Sequence, residues 1–126
     1  MRYVPVASRR FARQSLPDGL TAAVVAQTPV VSWNRDDALQ EDFVHKVFHG
    51  HLDAPVHFVP TAEGNVAAIR AGLGWGMYPQ MLPLGDLVTI NDGHLDVPLY
   101  WQCWKLQSPL VQRITDVVRS AAQRLQ

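Results

Sequence analysis

The chain has 126 residues, of which 48% are hydrophobic and 17% charged, a globular composition that excludes disordered, collagen-like and coiled-coil proteins. Eleven basic and eleven acidic side chains give no formal net charge, which argues against a surface that binds nucleic acid non-specifically. A single cysteine excludes an intramolecular disulfide framework, and the absence of a signal peptide or a long apolar run predicts a cytoplasmic protein without a membrane partner.

The first third of the chain is predicted to alternate strands with short helices. Pro5 cannot donate a hydrogen bond within a sheet, so its strand is expected at an edge or in a crossover. The predicted elements, in order, are a strand at 3–7, a helix capped by Ser8 and running to Arg13, a helix at 22–27 capped by Thr21, and a strand at 30–33.

A longer amphipathic helix is predicted next. Leu39, Phe43 and Val47 recur every four residues, so they share one face of a helix. Either Asn34 or Asp36 can serve as the N-cap. We expect this helix to end near a glycine at position 50.

The region 36–63 is acidic, with six carboxylates against one lysine, and it contains four of the five histidines. One interpretation is a solvated acidic helix. The other is a negative surface that favours a small cationic ligand and whose charge responds to mild acidification. The residues themselves leave both interpretations open.

The segment 56–79 has the pattern of a compact βαβ unit. A strand at 56–59 ends at a proline, Thr61 caps a helix of about nine residues, and a buried strand follows at 74–79. We expect the two strands to be parallel and joined by a right-handed crossover. Ligands of such units lie beyond the carboxyl ends of the strands, where N–H groups at 61–65 could bind an anionic group.

Two further strands and a closing helix are predicted towards the C-terminus. The strands at 87–90 and 97–104 are separated by turn formers at 91–93 and could pair antiparallel. Ser108 and Pro109 begin a helix that continues to the last residue and must pack its apolar face against another surface. That face contains Leu110, Ile114, Val117, Val118, Ala121 and Leu125.

Few side chains have the spacing of a catalytic or metal centre. A metal could be held in the histidine-rich segment, but a polar helix end explains the same pattern, and we predict no metal site. The four candidate ligands there are His45, His49, His51 and Asp53. Cys103 lies among aromatic residues and is expected to be a buried, unreactive thiol.

Other sequence signals of catalysis or cofactor binding are missing. Nucleophile-elbow, zinc-protease, P-loop and dinucleotide-binding motifs are absent, so we predict no cofactor. Tryptophans are mostly core residues, although one could cover a ligand. The four are Trp33, Trp75, Trp101 and Trp104.

Several motifs occur in one order along nearly the whole chain. They are YVPVAS at 3–8, PDGLT at 17–21, PVV at 29–31, PTAE at 60–63, AGLGWGMYP at 71–79 and DVPLYW at 96–101, with Phe11, Asp36 and Asp37 between them. Together they resemble the effector-binding domain of LysR-type transcriptional regulators, in the ArgP/LysG branch that senses lysine and arginine and controls export or metabolism genes. The resemblance implies an α/β fold like the type 2 periplasmic binding proteins, with ligand in a cleft between two lobes.

The same resemblance implies that this chain is only part of such a domain. Residues 8–83 would form the second lobe with its βαβ unit, while 1–7 and 84–126 would form crossover strands and the remnant of the first lobe, including the C-terminal helix. The family's helix-turn-helix has no counterpart here, so DNA would be bound only by a domain absent from this truncated chain. The segment 80–86 is shorter than is usual in the family.

Ligand-binding positions follow from the resemblance residue by residue. A carboxylate would suit the helix start at Thr61, and an ammonium or guanidinium would suit the nearby acids, although these acids could instead cap helices. The implied positions are Ser8, Asn34, Asp36, Asp37, Thr61, Ala62 and Glu63. The family also implies self-association, with 56–59 and 63–71 as candidate contacts.

We therefore expect a sensor of basic amino acids rather than an enzyme. Two alternatives remain open from the residues alone. One is a stand-alone interaction or dimerisation module without ligand sensing. The other is a small metal-dependent enzyme, which would rest only on the histidine cluster.

Overall fold

The computed structural model describes residues 1–125 and has an α/β fold, which confirms the predicted class. Six strands and four α-helices lie in that range. In chain order they are β1 (Arg2–Ser8), α1 (Arg9–Ser15), β2 (Val30–Ser32), α2 (Leu39–Phe48), β3 (Val56–Phe58), α3 (Ala62–Arg70), β4 (Gly76–Pro79), β5 (Leu87–Thr89), β6 (Leu95–Asp96) and α4 (Pro109–Ala122), followed by a 3-10 turn at Gln123–Leu125.

The strand β1 is the centre of an antiparallel sheet. Its one edge pairs with β4, from Tyr3 opposite Pro79 to Val6 opposite Gly76. Its other edge pairs with both β5 and β6, which lie one after the other along it. The predicted antiparallel pairing of 87–90 with 97–104 is therefore wrong, because β5 forms its hydrogen bonds with β1 and residues 97–104 form no strand.

A parallel pair, β2 and β3, continues this sheet. Val31 donates its N–H to the Trp75 carbonyl at 2.8 Å, and the Trp75 N–H donates to the Pro29 carbonyl at 3.0 Å. A parallel bridge between Val30 and Trp75 therefore places β2 beside the start of β4. The predicted βαβ unit is present with parallel strands, but β2 lies between β3 and β4, and β2–α2–β3 forms a second such unit.

The two faces of the sheet bury two separate clusters. Residues next to each other along a strand point to opposite faces, so Val30 and Val31 contribute to different clusters. Phe43 of α2 packs into the cluster on one face, together with Trp75. Ile69 of α3 packs into the other. Helices thus cover both faces, as parallel strands require.

Several predicted boundaries differ from the structure. Residues 22–27 form consecutive turns instead of a helix, because adjacent β-branched residues at 24 and 25 favour helix poorly and the segment is too short to compensate. The α2 helix begins at Leu39 after Ala38, not at Asn34 or Asp36. It ends at Phe48, close to the predicted position, and His49 follows with φ of 56°.

The C-terminal quarter differs most from the sequence prediction. Residues 97–104 form no strand, and Tyr100 and Trp104 are 83% and 84% exposed. Cys103 is also exposed rather than buried. The reason is that no strand within 1–125 lies beside this segment to pair with it. Of the four tryptophans, only Trp75 is buried.

The helix α4 forms as predicted, and its predicted end at Gln126 lies outside the described residues. Thr115 is buried under the preceding segment, where its hydroxyl accepts a hydrogen bond from the Trp101 indole at 3.2 Å. The apolar side chains at 110, 114 and 117 are exposed. Across residues 1–125, every helix falls short of the length and apolarity that a membrane crossing needs.

Candidate functional site

The carboxyl ends of β2 and β3 lie side by side, because Ser32 is in register with Phe58. The chain leaves these two strands as the segments 33–37 and 59–63, which contain most of the predicted ligand-binding positions. We call this side of the sheet the carboxyl edge. Ligands of open α/β sheets bind beyond such an edge, so the topology brings the two candidate segments to the expected place.

Asp37 is held rigidly at the carboxyl edge. Its Oδ2 accepts hydrogen bonds from the Ser32 hydroxyl and the Trp33 N–H, both at 3.0 Å. Its Oδ1 accepts a third from the Leu39 N–H at 3.2 Å. Gln40 is buried beside it and donates to the Val31 carbonyl at 3.1 Å. The carboxylate is therefore fixed before any ligand arrives, which lowers the entropy cost of binding.

Tyr3 belongs to the same edge, although no local sequence pattern points to it. It lies at the start of β1, in register with Pro79 at the end of β4. Partial burial and the Asp37 carboxylate both raise the pKa of the Tyr3 phenol. The phenol therefore stays protonated at neutral pH and can donate a hydrogen bond. Only the pairing of β1 with β4 reveals this position.

Asn34 and Asp36 form the outer part of the first segment. The Asp36 N–H donates to the Asn34 side-chain oxygen at 2.8 Å, which stabilises a tight turn and leaves the Asp36 carboxylate exposed. Between them, the Arg35 guanidinium lies 5.2 Å from the centroid of the Phe58 ring. This cation–π contact joins the segment after β2 to the last residue of β3.

Thr61, Ala62 and Glu63 begin α3 as predicted. The Thr61 hydroxyl caps the helix by accepting from the Gly64 N–H at 3.1 Å. The first N–H groups of a helix have no acceptor within the helix, so those of Ala62 and Glu63 are available to an anion. All three residues are exposed.

Ser8 lies at the opposite end of the sheet from the other six positions. It is five residues along β1 from Tyr3, a rise of about 17 Å in a strand. There its hydroxyl caps α1 by accepting from the Phe11 N–H at 3.1 Å. The structure therefore does not bring Ser8 together with the rest of the predicted site.

The histidine-rich segment has the geometry of a polar helix end. The His51 ring contacts Glu41 through Nδ1 at 3.0 Å, and the Leu52 N–H donates to the same carboxylate at 2.7 Å. Partial desolvation opposes ionisation of Glu41, but these contacts together hold its pKa below the usual value. Among residues 1–125, no three potential ligands converge as a metal site requires.

The cap of α3 provides a direct test of the local geometry. Replacing Thr61 with alanine is expected to lower the free energy of unfolding by about 1 kcal/mol, because the Gly64 N–H loses its acceptor. Thr61→Ser keeps the hydroxyl and should unfold at nearly the same urea concentration as the parent. Equal losses in the two variants would show that the Thr61 methyl group, rather than the cap, stabilises this helix start.

No protein-family model matches the chain. The chain is nevertheless similar to several individual proteins in sequence and in structure. The HTH-type transcriptional regulator LysG of Mycobacterium tuberculosis is 58% identical over 130 residues, which cover 99% of this chain and 43% of that protein. The crystal structure of ArgP from the same organism superimposes with a TM-score of 0.89 at 57% identity, covering 97% of this chain and 44% of that one. Over nearly its whole length the chain is homologous to the C-terminal part of LysR-type regulators of the LysG/ArgP branch.

A second solved structure extends the comparison to a ligand-bound relative. Full-length LysG from Corynebacterium glutamicum with bound effector Arg has a TM-score of 0.79 and 34% identity, covering 97% of this chain and 43% of that one. The chain thus spans less than half the length of these LysR-type relatives and corresponds to the C-terminal part of their effector-binding domain. The relatives are named as transcriptional regulators, which points to a protein that is not an enzyme.

Proposed function

We propose that this chain is the effector-sensing part of a LysR-type regulator and that its carboxyl edge binds a basic amino acid. The observation that carries the proposal is the Asp37 carboxylate, which three hydrogen bonds fix at the carboxyl edge. The relative with bound Arg supports the same class of ligand.

The two ends of a basic amino acid have complementary partners at this edge. Its carboxylate would accept hydrogen bonds from the N–H groups of Ala62 and Glu63, with the Thr61 hydroxyl beside them. Its ammonium or guanidinium would face Asp36 and Asp37. Within the acidic region 36–63, Asp36 and Asp37 would therefore face the ligand, whereas Glu41 and Asp42 belong to α2.

The rest of the family's organisation is part of the same proposal. Residues 8–83 form the second lobe, and 1–7 with 84–126 connect to a first lobe whose other residues come from a longer chain. The cleft between the lobes encloses the effector, and DNA is bound by a helix-turn-helix outside this chain. We propose a cytoplasmic regulator without catalytic activity, which controls export or metabolism of lysine and arginine.

Self-association is proposed through the outer strand β3 and the neighbouring helix α3. The outer edge of β3 pairs with no other strand in residues 1–125, and all three of its residues are exposed. An exposed strand edge with apolar side chains such as Val56 and Phe58 is a surface that a second copy can cover.

Calorimetric titration of the full-length protein tests the effector proposal. Arginine and lysine should bind, whereas citrulline, which matches arginine in shape without its charge, should bind at least about tenfold more weakly, since hydrogen bonds between charged groups contribute about 1.5–3 kcal/mol. Equal binding of citrulline, or no binding of arginine and lysine, would refute the proposal.

Charge-neutral variants locate the binding site within the acidic region. Asp36→Asn and Asp37→Asn should each weaken arginine binding, by about tenfold or more for Asp37 because its carboxylate is already fixed in place. Asp53→Asn is the matched control, since Asp53 is an exposed acid of the same region that precedes β3 rather than following it. A similar loss in all three variants would indicate a general effect of charge instead of a site.

A stand-alone interaction module remains the second candidate, and one observation favours it. Large apolar side chains are exposed along 99–106 and on the face of α4 that contains Leu110, Ile114 and Val117. Contiguous apolar surface of this kind marks an interface. Light scattering should detect self-association or binding of a partner through this surface, and a monomer that binds no ligand and no partner would exclude both functions.

A further inference from the structure

A cavity of about 530 Å³ lies at the end of the lobe opposite the carboxyl edge. It is formed where α1 begins, next to the end of α3 and the loop before β5. Three arginines contribute to its lining, namely Arg9, Arg10 and Arg70, together with Gln14 and Asp86. We call it the basic cavity. Its volume is within the range of about 300–1,000 Å³ that is typical of small-molecule sites.

The charges of the basic cavity are only partly balanced. Arg70 donates from Nε to the Asp86 carboxylate at 2.8 Å, so one positive charge is paired. No acidic side chain within residues 1–125 lies within 4.0 Å of the guanidinium of Arg9 or Arg10. The cavity therefore has an excess of two positive charges.

The position of Arg9 and Arg10 is unfavourable for the helix that carries them. They occupy the first turn of α1, which contains no acidic residue, and cations near a helix N-terminus are destabilised by the helix dipole. Arg13, in the last turn of the same helix, is where the dipole favours a cation. The stability of α1 thus accounts for an arginine at position 13, but it does not account for Arg9 and Arg10, which line the cavity.

We propose that the basic cavity is a second ligand site, which binds the phosphate group of a small molecule. Guanidinium groups donate pairs of hydrogen bonds that match the oxygens of phosphate, and two unpaired arginines supply both donors and charge. Gln14 also lines the cavity, and an amide side chain can donate to a further oxygen. A doubly charged oxyanion would neutralise the excess charge of the cavity.

The basic cavity and the carboxyl edge prefer ligands of opposite charge. A basic amino acid in the cavity would bring its ammonium or guanidinium against Arg9 and Arg10, which repel it. A phosphate at the carboxyl edge would meet Asp36, Asp37 and Glu63. The acids of the carboxyl edge and the arginines of the basic cavity therefore lie near opposite ends of β1.

Titration of the full-length protein with inorganic phosphate and with pyrophosphate at fixed ionic strength tests this site. Wild-type protein should bind at least one of them, and Arg9→Gln or Arg10→Gln should weaken that binding by about tenfold or more. Arg13→Gln is the matched control, because it removes the same charge from the same helix outside the cavity. Arginine binding at the carboxyl edge should be unchanged in all three variants.

Three outcomes would overturn the proposal. One is the absence of binding of phosphate and pyrophosphate to the wild type. Another is an equal loss of binding in all three variants, which would indicate non-specific attraction to surface charge. The last is binding of a short DNA duplex that depends on Arg9 and Arg10 while the small anions do not bind, which would assign these arginines to a nucleic-acid backbone instead.

Discussion

Replacing Gly74 with alanine is expected to lower the free energy of unfolding by about 3 kcal/mol, because this glycine lies where β2 meets the start of β4. A Cβ atom at position 74 would overlap the Pro29 carbonyl oxygen and lie 2.7 Å from its carbon, and neither backbone atom can move independently. To relieve the overlap, the segment around position 74 would have to move away from β2, which would weaken the hydrogen bonds that Trp75 forms with Pro29 and Val31.

The control for Gly74→Ala is Gly50→Ala. A Cβ at position 50 meets its nearest atom, the Phe48 carbonyl oxygen, at 4.0 Å, so the added methyl group fits. Urea unfolding followed by tryptophan fluorescence measures both, since Trp75 is buried beside the altered position. A Gly74→Ala protein as stable as Gly50→Ala would show that the two strands are not in close contact there.

Phe43→Ala is expected to destabilise the protein by about 3–4 kcal/mol, because the core loses a buried aromatic ring and a cavity takes its place. Phe43 is completely buried, and its ring centroid lies 5.9 Å from that of Trp75 and 6.1 Å from that of Phe48. Thermal unfolding should show the loss of stability clearly. Phe48→Ala on the same helix should cost less than half as much, because Phe48 is only partly buried.

Comparable losses of stability in Phe43→Ala and Phe48→Ala would contradict the assignment of Phe43 as the residue that fixes α2 on the sheet. The position of α2 also matters for the carboxyl edge. Gln40 and the Leu39 N–H, which both belong to α2, hold the polar network around Asp37 and β2. Phe43→Ala should therefore weaken arginine binding as well as lower the free energy of unfolding.

Elements with local signals can be predicted from the sequence. The caps provided by Ser8 and Thr61 are formed by the predicted side chains, because a hydroxyl followed by a helical pattern needs only its own neighbours to form. The strands at 30–33, 56–59 and 74–79 are also recognisable, since each is a short apolar run bounded by proline or glycine.

The order of the strands cannot be read from local patterns. Ser8 and Tyr3 differ by five residues, and only the antiparallel pairing of β1 with β4 decides which of them lies at the carboxyl edge. Such pairing depends on partners far along the chain, so local patterns cannot show that Ser8, a position implied by the family resemblance, and Tyr3 lie at opposite ends of the sheet. The other six candidate positions share an edge because β2 and β3 are in parallel register.

The C-terminal segment shows the limit of strand propensity. Aromatic and β-branched residues at 97–104 favour a strand, but a strand also requires a neighbour that accepts its hydrogen bonds. Trp101 instead donates its indole N–H to Thr115 of α4. Residue type predicts burial of Trp104 and Cys103, whereas their exposure follows from the lack of a neighbouring strand within 1–125.

The pairing of β1 has a consequence for the order in which the sheet forms during synthesis. Within residues 1–125, every strand partner of β1 lies at Gly76 or beyond, so this apolar strand leaves the ribosome long before any of them can pair with it. At about 5–20 residues per second, several seconds pass before β4 is available, while β2, α2 and β3 can already assemble. Of the strands in this sheet, β1 is thus made first and waits longest for its partners, and its unpaired backbone remains open to chaperones or to misassembly during that interval.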